Sequence, residues 1–304
     1  MIPIPSAFAP SYAKARVRFL EAAATVGARI ESHDHPLPGR EGERLALDVA
    51  LDGTGQAERL LIVSSACHGV EGFHGSGVQV FALHDTDWRA HAREAGVDVL
   101  YLHALDPYGF SHLRRVTHEN VDLSRNVGAP PPVNEAYRRA HPLLLPAAWP
   151  PDAAGRAALR EVVAREGLDA IAAGQGEFPE GLFYAGQAPA WSHLALRQVL
   201  ARHAAARRQV HWIDLGAGTL PGGPIWRALP TPCTGIAVDH PATDAAEALE
   251  AQCGDHWLAL HPLAEPALAA SIQARLRAAF YADTDAWKGQ AISQARQAMF
   301  QAIA

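Results

Sequence analysis

The 304-residue sequence is short of several things, and each shortage excludes a class of protein. It has three cysteines, Cys67, Cys233 and Cys253, an odd number without CxxC spacing. That usage argues against a disulfide scaffold and leads us to expect a cytoplasmic protein. No block of basic residues stands out, and the net charge of −6 argues against a nucleic-acid or anionic-membrane partner. No run approaches the roughly 18 apolar residues that a membrane span needs. The opening MIPIPSAFAPSY lacks both a basic n-region and an apolar h-region, so it is not expected to be a secretion signal. Internal repeats, low-complexity blocks and long linkers are also missing, which points to one domain over 1–304.

What is present is ordinary for a globular protein: 49% hydrophobic and 19% charged residues. Apolar spacing predicts a helix from Tyr12 after a Ser11 cap, and alternation predicts a strand over Arg44–Leu51. Buried strands are expected at Leu60–Val63 and Val97–Leu102, a further strand at Val210–Leu215 and a short one at Gly235–Val238. Between and after them, helices are expected at Gly77–His84, Trp88–Ala95, Asp152–Arg165, Pro189–Ala206, Asp244–Cys253 and Glu265–Tyr281, with a last one ending near Ala304. Ala129–Pro132 reads as a loop. Strands alternating with helices predict an α/β fold with a mixed, mostly parallel central sheet flanked by helices.

The chemistry centres on Leu60–Gln79, LLIVSSACHGVEGFHGSGVQ. A buried strand delivers His68 and Glu71 three residues apart into a glycine-punctuated segment. The carboxyl end of a central strand is where an α/β enzyme would hold a divalent metal. A second constellation, YGFSHLRRVTHENVDLSRN, follows the next strand and contains Arg115 and Arg125. Surface exposure is the usual fate of arginine. The functional alternative is one guanidinium for a developing oxyanion and one for a substrate carboxylate.

These segments, together with GQGEFPEGLFYAGQAPAWS, resemble a group of bacterial proteins related to zinc carboxypeptidases. The same group is related to the succinylglutamate desuccinylase/aspartoacylase enzymes. The resemblance runs from about Leu60 to His261. It implies a zinc-carboxypeptidase-like, phosphorylase/hydrolase-type fold in which one zinc hydrolyses an amide next to a carboxylate. The substrate would then be a small molecule or peptide with a free carboxylate. His68 and Glu71 match the first two zinc ligands, Arg125 the substrate-carboxylate arginine and Arg115 the oxyanion arginine, with Ser124 and Asn126 beside the substrate. Asp239, in AVDHPA, stands where the relatives carry a glutamate as general base, one methylene longer.

The sequence departs from that pattern at the metal. Relatives read DLHTG where this chain has Asp214-Leu215-Gly216-Ala217-Gly218, so the third zinc ligand is replaced by Gly216. His74, Asp214 and His240 remain open as substitutes, with His193 also in a segment expected to line the cleft. Ser124 stands where relatives have an amide. These losses raise a second reading: a degenerate homologue that binds a carboxylate-bearing ligand without hydrolysing it. A third reading takes Val210–Thr219, VHWIDLGAGT, as the glycine-rich motif of a SAM-dependent methyltransferase. Against it, LPGGP makes a poor helix start, and about 85 residues after Thr219 are too few for such a domain.

Overall fold

The structure is a computed structural model, and it describes residues 2–128, 131–218, 220, 222–229 and 233–304. Six strands form one sheet: β1 (Arg29–Asp34), β2 (Ala46–Asp52), β3 (Arg59–Ser65), β4 (Val97–His103), β5 (Gln209–Gly216) and β6 (Cys233–Asp239). Their order is β1-β2-β4-β3-β5-β6. β3 runs parallel to β4 and β5, and β5 parallel to β6, while β2 is antiparallel to both β1 and β4. The sheet is therefore mixed and mostly parallel, as the alternation of elements predicts.

Helices cover both faces. The chain runs through α1 (Ile4–Ala7), α2 (Tyr12–Thr25), α3 (Gly72–His84), α4 (Thr86–Glu94), α5 (Pro107–His112) and α6 (Glu135–Leu144). It continues with α7 (Ala153–Glu166), α8 (Leu168–Ile171), α9 (Trp191–His203), α10 (Ala245–Leu260), α11 (Pro266–Phe280) and α12 (Asp285–Ile303). Side chains of a strand alternate between faces, and the core divides accordingly. Leu61, Val63, Val99, Tyr101, Ile213 and Leu215 pack with α2, α3, α4 and α12 on one face. Leu60, Ile62, Leu100, Leu102, Val210 and Trp212 face the opposite way, onto Leu196, Val199 and Leu200 of α9. The near-continuous apolar character of β3 follows from burial on both faces.

Several elements were not anticipated, among them α1, α5, α8, β1 and α6. β1 reads RIESHD and is mostly exposed, so it lacks the apolar alternation of a half-buried strand. α6 contains Pro142, a residue that argues against a helix interior, although its N-cap Asn134 accepts from Tyr137 N as a helix start should. α3 also begins at Gly72, earlier than the expected Gly77. Of the expected loop at 129–132, Ala129 and Pro130 lie outside the described residues.

Three buried or half-buried ion pairs tie helices and loops to the sheet: Arg16–Asp48 at 2.6 Å, Arg89–Asp52 at 2.6 Å and Arg207–Asp98 at 2.7 Å. No helix is long and apolar enough to cross a membrane among the described residues. β3 connects forward to β4 on one side, and the chain then crosses over to β5 on the other. The carboxyl ends of β3 and β5 thus flank a topological switch point, the usual place for a ligand crevice in such sheets.

Candidate functional site

A cavity of about 170 Å³ opens at that point. His68 and Glu71 line it from the turn after β3, Asp214 and Gly216 from the end of β5, and Ala237 and Asp239 from β6. Gly218, Gly222, Gly223 and Trp226 close it from the segment between β5 and β6, and Arg115 forms its inner wall.

The local sequence explains the delivery of each group. After Ser65 the backbone turns through Ala66 at a positive φ of 55°, then folds into a 3-10 turn over Gly69–Glu71 that feeds α3. Gly69 packs so tightly on Gly109 and Phe110 that a Cβ would overlap their backbone. Opposite, Asp122 caps a 3-10 turn over Leu123–Arg125 by accepting from Ser124 N. The DLSRN segment thus becomes a rigid turn, held further by His193, whose Nε2 lies 3.0 Å from Leu123 O.

The centre of the site is a buried network of charges. Arg115 is 1% exposed. Its Nε donates to Glu71 Oε1 at 3.0 Å, and its Nη2 lies 3.2 Å from His68 Nδ1. The second Glu71 oxygen accepts from Ala217 N at 2.9 Å. His68 Nδ1 is 3.4 Å from Glu71 Oε1, and its Nε2 is 3.2 Å from Asp122 Oδ1. Asp122 also pairs with Arg125 and accepts from Ser124 Oγ at 2.7 Å. Arg115 Nη1 is buried without a hydrogen-bond partner among the described residues, 3.9 Å from Asp122 Oδ2.

Electrostatics follow from these contacts. Burial works to raise the Glu71 carboxyl, but His68, Arg115 and the Ala217 amide outweigh it and hold the group at about 2. Asp122 is likewise held well below its usual range, burial being overcome by Arg125, His68 and Arg115. His68 is pushed up to about 9: burial and Arg115 disfavour its charge, and the two carboxylates prevail. Asp214, beneath the cavity and bonded to Ser64, is raised to about 7 mainly by burial. Asp239 is exposed as a residue, yet its carboxyl turns into the cleft, where desolvation and the Glu71 charge raise it to about 6.

The other sequence-derived candidates fall in different places. Arg125 does not line the cavity. Its guanidinium is buried against Asp122 and Ala172 O and lies over the Phe183 ring at 5.0 Å. Ser124 accepts from Gly223 N at 3.1 Å and so supports the glycine segment from below. Asn126 is fully engaged with backbone: it donates to Ala185 O and Ala188 O and accepts from Ala190 N. His74 is buried one turn behind Glu71, beside His240 and Trp287, and neither ring nitrogen has a hydrogen-bond partner among the described residues. His240 lies 3.0 Å from Gln294 Oε1. Neither histidine reaches the cavity, and of the three substitute ligands only Asp214 does.

The donor set therefore does not fit the zinc that the resemblance implies. Both Glu71 oxygens and both His68 nitrogens already face hydrogen-bonding partners, and a guanidinium occupies the space between them. At the third position, a Cβ on Gly216 would overlap the Asp239 carboxylate and lie 3.3 Å from Glu71 Oε2. No group of three or more His, Cys, Asp or Glu side chains is arranged to hold a metal among the described residues. The glycine motif after β5 also departs from a nucleotide-binding turn. It leads to a 3-10 turn over Ile225–Ala228 instead of a helix, with Thr219 and Pro221 outside the described residues.

Sequence reasoning missed Asp122 and Trp226. Asp122 was visible only as the first letter of DLSRN. Trp226 had no local signal, since its seat on Gly235 is set by tertiary contact.

Three solved structures are similar to this chain, two of them carboxypeptidases by title. Thrombin activatable fibrinolysis inhibitor aligns at 11% identity and TM-score 0.41, covering 68% of this chain and 47% of its own. Carboxypeptidase A from Helicoverpa armigera aligns at 12% and 0.41, covering 88% and 73%. A metallo-carboxypeptidase from Pseudomonas aeruginosa aligns at 13% and 0.33, covering 68% and 40%. The chain thus spans about half the length of the first of these. No curated protein matches the sequence. Residues 8–227 and 224–294 match the family described as protein of unknown function, DUF2817, and the chain belongs to that family.

Proposed function

We propose that the cleft binds a small carboxylate-bearing ligand and that Arg115 is its anchor, in a chain that has given up the zinc chemistry of its carboxypeptidase-like relatives. One observation carries this reading: Arg115 Nη1 is a buried cationic donor in the cavity wall with its hydrogen bond unmade. Leaving such a donor unpaired costs about 1–3 kcal/mol, so a ligand oxygen placed there relieves a standing penalty. The charge balance supports an anion as well. Arg115, Arg125 and a protonated His68 face only two firmly ionised carboxylates, Glu71 and Asp122. Planar guanidinium groups suit carboxylates because two N–H bonds can run in parallel.

The other residues have supporting roles in this reading. Glu71 holds the guanidinium in place, and the protonated His68 is held in turn by Glu71 and Asp122. Asp214 and Asp239, when protonated, donate to the ligand instead of repelling it. Three unpaired cysteines favour a cytoplasmic setting. We retain a single domain over 1–304.

The test is calorimetric titration of the purified chain with acetate, succinate and an N-acetyl amino acid, alongside the Arg115→Met variant. Binding that disappears in the variant supports the reading. No binding at millimolar concentration, or binding untouched by the substitution, rejects it.

A zinc-dependent amide hydrolase is the second reading. It is favoured by the adjacency of His68 and Glu71 at one wall and by Asp239, raised to about 6, at the other. It requires Arg115 to leave Glu71. One equivalent of zinc in the purified protein, lost on His68→Ala, would establish it in place of the first.

A further inference from the structure

The two edges of the sheet are finished differently. β1 carries Arg29, Glu31, His33 and Asp34, and its acids pair outward with Arg202, His203 and Arg44. Charges along an edge strand discourage the addition of another strand. β6 reads Cys233-Thr234-Gly235-Ile236-Ala237-Val238-Asp239, with no proline, no charge before its last residue and an uninterrupted register against β5.

The polarity of that edge is fixed by one bond. His240 N donates to Gly216 O at 3.1 Å. In a parallel ladder, alternate residues bond to a given neighbour. The even-numbered residues of β6 therefore bond to β5, and the odd-numbered N–H and C=O groups point outward. Among the described residues, only one outward group has a partner: Asp239 O accepts from Gln294 Nε2 at 3.2 Å. Beside this open ladder Thr234 and Ala237 are exposed, and Ile236 is 45% exposed.

We propose that β6 is a self-association edge, where two copies of the chain pair β6 with β6 antiparallel about a two-fold axis at Ile236. In that register Gly235 meets the partner's Ala237, and Ala237 meets the partner's Gly235, giving four backbone hydrogen bonds. Ile236 meets the partner's Ile236 at a non-hydrogen-bonded position, where Cα atoms approach to about 4.5 Å and apolar side chains pack best. Thr234 faces the partner's Val238. The pairing is symmetric, so one surface serves both copies. It also bears on the cleft, because Ala237 and Asp239 line the cavity and the added strand borders its mouth. The inference does not depend on what the cleft binds.

Sedimentation equilibrium of the full chain tests it, together with two variants aimed at the edge. Ile236→Lys places a charge at the axis, and Ala237→Pro removes an outward N–H without touching the β5 ladder. The wild type should be dimeric at about 100 μM, a concentration that saturates any low-micromolar self-association. Both variants should be monomeric with unchanged circular dichroism. Register is read by cysteine cross-linking: oxidised Ile236→Cys should form a covalent dimer, since such pairs fall within the 4.4–6.8 Å Cα range of a disulfide. Thr234→Cys, and the natural Cys233, should not. A monomeric wild type, a dimer indifferent to Ile236→Lys, or equal cross-linking through Thr234→Cys would overturn the proposal.

Discussion

Arg115 Nε lies 3.0 Å from Glu71 Oε1, and both side chains are almost wholly removed from solvent. The pair joins the turn after β3 to the segment after α5, and its two charges compensate each other where water is scarce. Removing one partner leaves the other buried and unpaired, which typically costs about 3–5 kcal/mol. Arg115→Met and Glu71→Gln should each destabilise by roughly that amount in chemical denaturation. The double variant should lose much less than the sum of the two, because neither charge is then stranded. Additive losses would show that the pair is not coupled.

Acid should unfold the protein through this network. The folded-state values of Glu71 and Asp122 are depressed, so both contribute stability that is complete above their unfolded values. For Glu71 that contribution is lost as pH falls from about 4.5 towards about 2. His68 works in the opposite direction. Its folded value is raised from 6.5 to about 9, so its contribution is complete below 6.5 and is lost as pH rises through about 9. Denaturation midpoints followed from pH 2 to 10 should therefore fall at both ends. His68→Gln should flatten the alkaline limb and, because His68 helps to depress Glu71 and Asp122, weaken the acid limb as well.

Asp214 has the reverse sign to Glu71 and Asp122. Its folded value is raised from 3.8 to about 7, so the unfolded chain releases this proton first and stability declines across that interval. Asp214→Asn keeps an acceptor for Ser64 and removes the ionisation. The variant should gain stability relative to wild type as pH rises from 4 to 8. A constant difference across that range would mean that Asp214 ionises normally.

Gly216 is a steric requirement of the site. A Cβ there would overlap the Asp239 carboxylate. Gly216→Ala should cost about 1–3 kcal/mol, the usual penalty for overfilling a packed position. Adding Asp239→Ala should recover part of the loss by removing the atoms in conflict. If the double variant is no more stable than the single, the constraint lies elsewhere, for example in Glu71.

The sequence announces where this site is but not how it is wired. β3, His68, Glu71 and the gap at Gly216 are legible because they are local: a buried strand, a spacing and a missing side chain. The mixed sheet is legible from the alternation of elements. The arginines are not, because their partners lie far along the chain. Arg115 meets Glu71 across 44 positions, while Arg125, which reads as a substrate anchor, is turned onto Ala172 O and Phe183. Asp122 draws His68, Ser124 and Arg125 together, yet in the sequence it is one aspartate in a turn. β1 escapes notice because an exposed, charged edge strand has no apolar signature.

The guanidinium between Glu71 and His68 has one more consequence. A metal ion in such a place exchanges with its surroundings, can be stripped by a chelator and depends on supply. Arg115 is tethered to the backbone and arrives with translation. On the proposed reading the positive centre of the cleft is thus present in every folded copy at the same stoichiometry, and carboxylate binding should survive treatment with EDTA.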